Sequence, residues 1–243
     1  MHNDGDPIIS LYQFAPINGK NFSPYCLKVE IYLQLANIPY KTIAALPNKA
    51  PLKKLPFIQD KGKLIPDSTL IIEYLKKTYN DPLDKELSEQ QLAQGHLLSR
   101  VCEESLIYVL LYSRWIDEKQ WPLLKQMVFS SLPPVIRSLI PALLRKKIRS
   151  KLTHQGYIQH SPEQIYAFGA SDLKAIAAYL ATTSFSVCNT PTSFDATLYA
   201  FLSTILDKSF ETPLQKALLK HPCLVNYCER MESILKQKKH SYS

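Results

Sequence analysis

Apolar residues change their spacing once along this 243-residue chain, near residue 80. Before that point, short β-rich runs alternate with helical patterns. Ile8–Phe14 reads as a strand, followed by a loop holding Pro16, Asn18 and Gly19. Ser23-Pro24 then opens a helix, since Ser is a good N-cap and Pro suits the first helical position. This helix extends to about Asn37 and carries two apolar stripes. Cys26, Val29, Leu33 and Ala36 lie on one side; Leu27, Ile31 and Leu35 lie broadly opposite. One stripe serves a helix on a solvated sheet, so two predict a helix covered on both sides. Tyr40–Ala44 is a second strand. Leu55–Gln59 and Lys63–Ile65 flank Asp60-Lys61-Gly62 as a hairpin. Asp67-Ser68 starts a helix to about Tyr79, with Leu70, Ile71, Tyr74 and Leu75 at helical spacing.

After Asn80-Asp81-Pro82 strand signals nearly vanish. Residues 86–115 predict one helix or two; 121–127 and 134–151 predict others. Ser161-Pro162-Glu163-Gln164 is a capping box opening a helix to about Thr182. Thr192-Ser193-Phe194-Asp195 is a second such start, leading into Ala196–Leu206, and a last helix covers 222–236. The remaining tail, Lys236 to Ser243, reads as frayed. The expected organisation is α+β: an α/β unit over residues 1–80 in the order β-α-β-β-β-α, a link at 81–85, and an all-helical unit over 86–243.

Composition narrows the chemistry. Six glycines, never closer than thirteen positions, exclude GxGxxG and GxxxxGK phosphate cradles. Five cysteines with no CxxC spacing argue against a disulfide framework or zinc site and for a reducing compartment. With no visible secretory signal and no apolar run near the roughly 18 residues of a membrane span, a cytoplasmic protein is expected. His154 and His160 have no acidic residue between them, so neither metal nor triad is expected.

Charge is placed unevenly. Residues 119–162 hold eight basic residues and no acidic ones, so they carry the whole net charge of +8. Within 137–151, Arg137, Arg145, Lys146, Lys147, Arg149 and Lys151 alternate with Ile136, Leu139, Ile140, Leu143, Leu144 and Ile148. This reads as a basic amphipathic helix interrupted by Pro141. Such a helix either covers a packed apolar face or lies on an anionic membrane surface. Nucleic acid is disfavoured, since stacking aromatics are missing from the stretch.

Four phrases, in order, resemble the glutathione transferase family, in which a thioredoxin-like domain precedes an all-α domain. Ser23-Pro24-Tyr25-Cys26-Leu27-Lys28-Val29-Glu30 resembles the start of that family's first helix. Leu55-Pro56-Phe57-Ile58 resembles its cis-proline turn, and Asp67-Ser68-Thr69 its acidic-Ser motif. Pro191–Ala196 resembles the capping box of its buried helix. The first phrase and Gln155–Glu163 are similar to the metaxin and failed axon connections branch. There Gln159 stands where a Gly-x-x-Arg-His-Ser pattern has Arg.

The resemblance implies glutathione as co-substrate, a hydrophobic electrophile, and a homodimer. Free thiols have a pKa of about 8.5, so a conjugating site must favour the thiolate; a hydroxyl donor and a helix N-terminus both do this. Ser23 sits where both act, or it only caps its own helix. The resemblance further implies that the Leu55 backbone, exposed by a cis Pro56, pairs with the cysteinyl part of glutathione. Ser68 and its helix N-terminus would take the γ-glutamyl carboxylate. Asp67 would pair with the ammonium, and Lys53 and Lys54 with the glycyl carboxylate. Bland readings are capping by Asp67 or Ser68, an edge-strand Pro56 and a solvated lysine loop. The electrophile is expected between the domains, beside Leu106, Ile107, Tyr108 and Tyr112. Thr192 and Asp195 are assigned to structure.

Two alternatives stand beside conjugation. One is a non-catalytic, metaxin-like binding or adaptor module. The other is a glutathione-dependent oxidoreductase using Cys26, against the reading of Cys26 as a core residue.

Overall fold

The computed structural model describes residues 8–17, 19–130 and 132–240; of the expected first loop, Asn18 lies outside them. Four strands form one mixed sheet in the order β2-β1-β3-β4. They are β1 (Ile9–Gln13), β2 (Tyr40–Ala44), β3 (Phe57–Asp60) and β4 (Lys63–Pro66). β1 and β2 are parallel, joined through α1 (Pro24–Leu35); β3 runs antiparallel to β1 and β4. A parallel pair needs such a crossover, whereas β3 and β4 close through Lys61-Gly62, both at positive φ. α2 (Ser68–Thr78) follows β4 directly.

The other helices are α3 (Glu89–Val101), α4 (Ile107–Leu111), α5 (Trp121–Phe129), α6 (Pro134–His154), α7 (Pro162–Leu180), α8 (Ser193–Ile205), α9 (Pro213–Leu219) and α10 (Pro222–His240). π-helical turns at Cys102–Leu106 and Tyr112–Ile116 join α3 to α4 and end α4. α9 was not expected, although Thr212 caps it and Pro213 opens it.

The chain forms two compact units. The first joins residues up to His96 with Thr183–Thr204 and the segment from Tyr227 onward. The second joins Leu97–Thr182 with Ile205–Asn226. In the first, α1 is covered on both sides, as its two stripes require. Cys26 packs with Leu55 and Phe57 on the sheet side. On another side Tyr25 meets Phe201 of α8 edge-on, with ring centroids 5.7 Å apart. Lys238 of α10 donates to the Leu35 carbonyl at 3.1 Å and to Asn37 Oδ1 at 2.7 Å. The expected fraying therefore does not begin at Lys236: α10 stays helical to His240 because Lys238 caps the end of α1.

Buried carboxylates hold α8 in this unit. Asp195, fully buried, accepts from Ser186 N–H at 2.8 Å, Ser186 Oγ at 2.7 Å, Thr192 N–H at 2.8 Å, Thr192 Oγ1 at 2.9 Å and Tyr227 OH at 2.9 Å. Asp84, in the segment expected as a link, meets Lys76 Nζ at 2.6 Å and takes both the N–H and the hydroxyl of Ser193.

In the second unit, Asp117 accepts from Tyr166 at 2.6 Å. Gly169 of α7 leaves room for Leu214 and Val109, which a Cβ would meet at 2.6 and 2.9 Å. α6 departs from expectation twice. It runs helical through Pro141 rather than breaking there. Its outer residues Ile136, Leu139, Ile140, Leu143 and Leu144 are exposed, so the helix does not cover a packed face with that stripe. Among the described residues, no helix is long and apolar enough to cross a membrane.

Candidate functional site

The strand register gathers most of the expected site at one end of the sheet. Tyr12 in β1 pairs with Phe57 in β3, and Phe57 pairs with Pro66 in β4. One residue further, the Leu55–Pro56 turn lies beside Asp67 and Ser68. The N-terminus of α1 joins them, because Cys26 shares a buried cluster with Leu55 and Phe57. All of these residues belong to the first unit.

Ser23 is half-buried and caps α1, its Oγ accepting from Cys26 N–H at a long 3.4 Å. Its own N–H donates to Asn21 Oδ1 at 3.0 Å, and Asn21 Nδ2 donates to the Phe14 carbonyl at 3.1 Å. The buried Asn21 thus fixes the loop that delivers Ser23 to the helix start. An accepting hydroxyl keeps its proton, so Ser23 Oγ–H remains a donor. The first turn of α1 holds no acidic residue to offset the positive end of its dipole. Together these stabilise an anion.

Cys26 is a core residue. It is fully buried, and desolvation pushes its thiol from 9.0 up to about 11 despite the nearby Ser23 hydroxyl. A reactive cysteine needs the opposite shift and some exposure.

The Leu55–Pro56 peptide bond is cis. Pro56 leads into β3, an inner strand, so the edge-strand reading fails. Asp67 stands at φ +69°, ψ 130°, a conformation costly for a residue with a Cβ. Its Oδ1 caps α2, accepting from Thr69 N–H at 2.9 Å and Leu70 N–H at 3.4 Å. Capping therefore falls to Asp67 and not to Ser68. Ser68 is the first residue of α2 and 5% exposed, and its hydroxyl has no hydrogen-bond partner among the described residues. An oxygen so placed at a helix start is available to a bound carboxylate.

Lys28 lies in the second turn of α1, within the phrase Ser23–Glu30. It is 5% exposed and its Nζ reaches Thr69 Oγ1 at 3.3 Å, which puts a buried ammonium at the first turn of α2. The sequence signal was a lone lysine among the apolar residues of α1; its burial depends on α2, forty residues away.

Lys53 and Lys54 precede the cis turn and are exposed, with no ion pair among the described residues. Leu106, Ile107, Tyr108 and Tyr112 lie in the second unit and are buried there. Tyr108 stacks obliquely on Tyr157 at 5.3 Å, and Tyr112 meets Tyr166 edge-on at 5.8 Å. No cluster of three metal-ligating side chains occurs among the described residues.

Family models match both halves of the chain: the Glutathione S-transferase N-terminal domain over residues 24–120 and the Glutathione S-transferase, C-terminal domain over 169–231. The isoprene-epoxide–glutathione S-transferase of Rhodococcus sp. (strain AD45) is 34% identical over 92% of this chain and 98% of its own. The chain belongs to the glutathione S-transferase family. It is also similar to Failed axon connections of Drosophila melanogaster, at 31% identity over 93% of this chain; the chain spans 57% of that protein. Human Metaxin-2 is 23% identical over 85% of this chain and 80% of its own. Among solved structures, the beta-etherase LigF of Sphingobium shares the fold at a TM-score of 0.67 and 15% identity, over 97% of this chain and all of that one.

Proposed function

We propose that this protein binds glutathione along the sheet end described above and conjugates it to a small electrophile. The observation that carries this reading is the convergence of Ser23 at the α1 N-terminus, the cis Leu55–Pro56 turn and the strained Asp67 with Ser68 at α2. Ser23 Oγ–H donates to the glutathione sulfur and, with the α1 dipole, holds it as thiolate. Ser68 takes the γ-glutamyl carboxylate, and Lys28 adds positive charge beside it. The second carboxylate oxygen of Asp67 meets the ammonium. The Leu55 backbone pairs with the cysteinyl part, and Lys53 and Lys54 face the glycyl carboxylate.

An epoxide is the first electrophile class to test, since the 34%-identical relative carries that substrate in its name. The thiolate sulfur attacks an epoxide carbon, the C–O bond breaks, and the alkoxide takes a proton from water. The test is loss of glutathione thiol in step with consumption of a small epoxide. Wild type is expected to turn over well above the uncatalysed rate, with Ser23→Ala strongly reduced. Turnover at the background rate across a panel of epoxides contradicts the proposal.

The similarity to Failed axon connections and Metaxin-2 favours a second reading, a non-catalytic binding module on the same fold. Retained glutathione binding without turnover of any electrophile would support it.

A further inference from the structure

α6 has two opposite faces. Pro141, Arg145, Ile148 and Leu152 recur one turn apart on the inner one, where Leu152 is fully buried. Arg145 anchors that side. Its guanidinium donates to the Trp115 carbonyl at 2.8 Å and the Ile116 carbonyl at 3.0 Å, and pairs with Glu118 at 2.7 Å. The outer face carries Ile136, Leu139, Ile140, Leu143 and Leu144, spaced i, i+3, i+4, i+7, i+8. Their exposures are 41, 59, 39, 58 and 37%. A single exposed leucine is ordinary, but five in one stripe mark a surface that something covers.

Charge identifies the occupant. The stripe runs on into Lys147 and Lys146 borders it, while Arg149 stands farther round the helix, toward Arg145. Lys146 and Arg149 line a groove of about 350 Å³ that they share with Trp121, Lys125 and Ala142. Lys125, Lys146, Lys147 and Arg149 have no ion pair among the described residues, and residues 119–162 contain no acidic side chain. A second copy docked on this face would set these cations against their equivalents. An anionic lipid surface complements both parts, headgroup phosphates meeting the cations and acyl chains meeting the stripe.

We propose that α6 docks this protein on anionic phospholipid bilayers, with Leu139 and Leu143 inserted and Lys146 and Lys147 at the headgroups. The proposal does not depend on glutathione binding.

The test is co-sedimentation of the full chain with vesicles of phosphatidylcholine, with and without phosphatidylglycerol. Wild type is expected to bind the anionic vesicles only, and to be released by high salt. Lys146→Gln with Lys147→Gln should lower partitioning about 25-fold, since each basic residue near such a surface contributes roughly a factor of five. Leu139→Ser with Leu143→Ser should lower it about tenfold per residue. All four positions are exposed, and an unchanged melting temperature verifies the fold; if the leucine pair misfolds, the lysine pair carries the test. Equal binding to neutral and anionic vesicles, no binding to either, or binding that neither pair alters overturns the proposal. So does a dimer in solution that Leu139→Ser with Leu143→Ser disperses, because the stripe would then be an interface between copies. Binding to an acidic protein without binding to vesicles also overturns it.

Discussion

Ser23→Ala separates two roles that share one oxygen. As a cap, Ser23 accepts from Cys26 N–H at 3.4 Å, the outer limit of a useful hydrogen bond. Loss of an N-cap costs about 0.5–2 kcal/mol, and this geometry belongs at the low end, below ~1 kcal/mol. For a chain of this size that lowers the melting temperature by roughly 2–4 °C. As a donor to a thiolate, Ser23 would supply a hydrogen bond to a charged group, worth about 1.5–3 kcal/mol. At 1.36 kcal/mol per unit, its removal raises the pKa of bound glutathione by roughly one to two units. The α1 dipole stays in place, so the thiol should not return to its free value. The assay is the ultraviolet absorbance of the thiolate in the binary complex, titrated for wild type and Ser23→Ala, with thermal melts alongside. The expected pairing is a large pKa rise with a small loss of stability. A clear fall in melting temperature with no change in the bound thiol's pKa would refute the donor role and leave Ser23 a cap.

Other consequences follow from buried groups. Asp195→Ala leaves the buried N–H groups of Ser186 and Thr192 and the Tyr227 hydroxyl without their acceptor. At about 1–3 kcal/mol each, not additive, the loss should reach ~4 kcal/mol and lower the melting temperature by roughly 10 °C; a shift of a degree or two contradicts this. Cys26 is raised to about 11 when folded, so its contribution is fully present below pH 9 and is lost as pH rises from 9 to about 11, because the unfolded thiol ionises first. Stability should fall across that window less in Cys26→Ala than in wild type, and iodoacetamide at neutral pH should spare Cys26 in the folded protein. Lys28→Met removes the ammonium beside Thr69 and should weaken glutathione binding roughly fivefold with the fold intact; unchanged affinity by calorimetry would restrict Lys28 to packing.

Much of the first unit was legible because its signals are local. Ser23-Pro24 and Asp67-Ser68 announce helix starts by capping chemistry, and the short β runs stand out against them. The double stripe on α1 foretold a helix covered twice, though not that Phe201 and Lys238 would do the covering. What escaped was set by distant contacts. Lys236–His240 remains helical because Lys238 meets Asn37, two hundred positions away. Seven-residue α9 is too short for a periodic pattern, and the π-helical turns, five residues each and mixing Glu103, Glu104 and Arg114 with apolar neighbours, carry no period of their own. Amphipathicity in α6 was readable, but a pattern cannot say which apolar stripe other elements cover. At the site, residue types were readable while their states were not. The cis bond at Pro56 followed only from resemblance. Asp67 as cap and Ser68 with an unoccupied hydroxyl are facts of backbone geometry.

The central claim is that glutathione sits on α2 with its carboxylate at Ser68. Thermal unfolding with millimolar glutathione, on wild type and on Ser68→Ala, tests it most directly. At a hundredfold excess over the dissociation constant, binding stabilises by about 2.7 kcal/mol, a rise of roughly 5–10 °C. The account predicts that rise in wild type and its loss in Ser68→Ala, whose own melting temperature stays near that of the parent. No rise in wild type at saturating glutathione would contradict it.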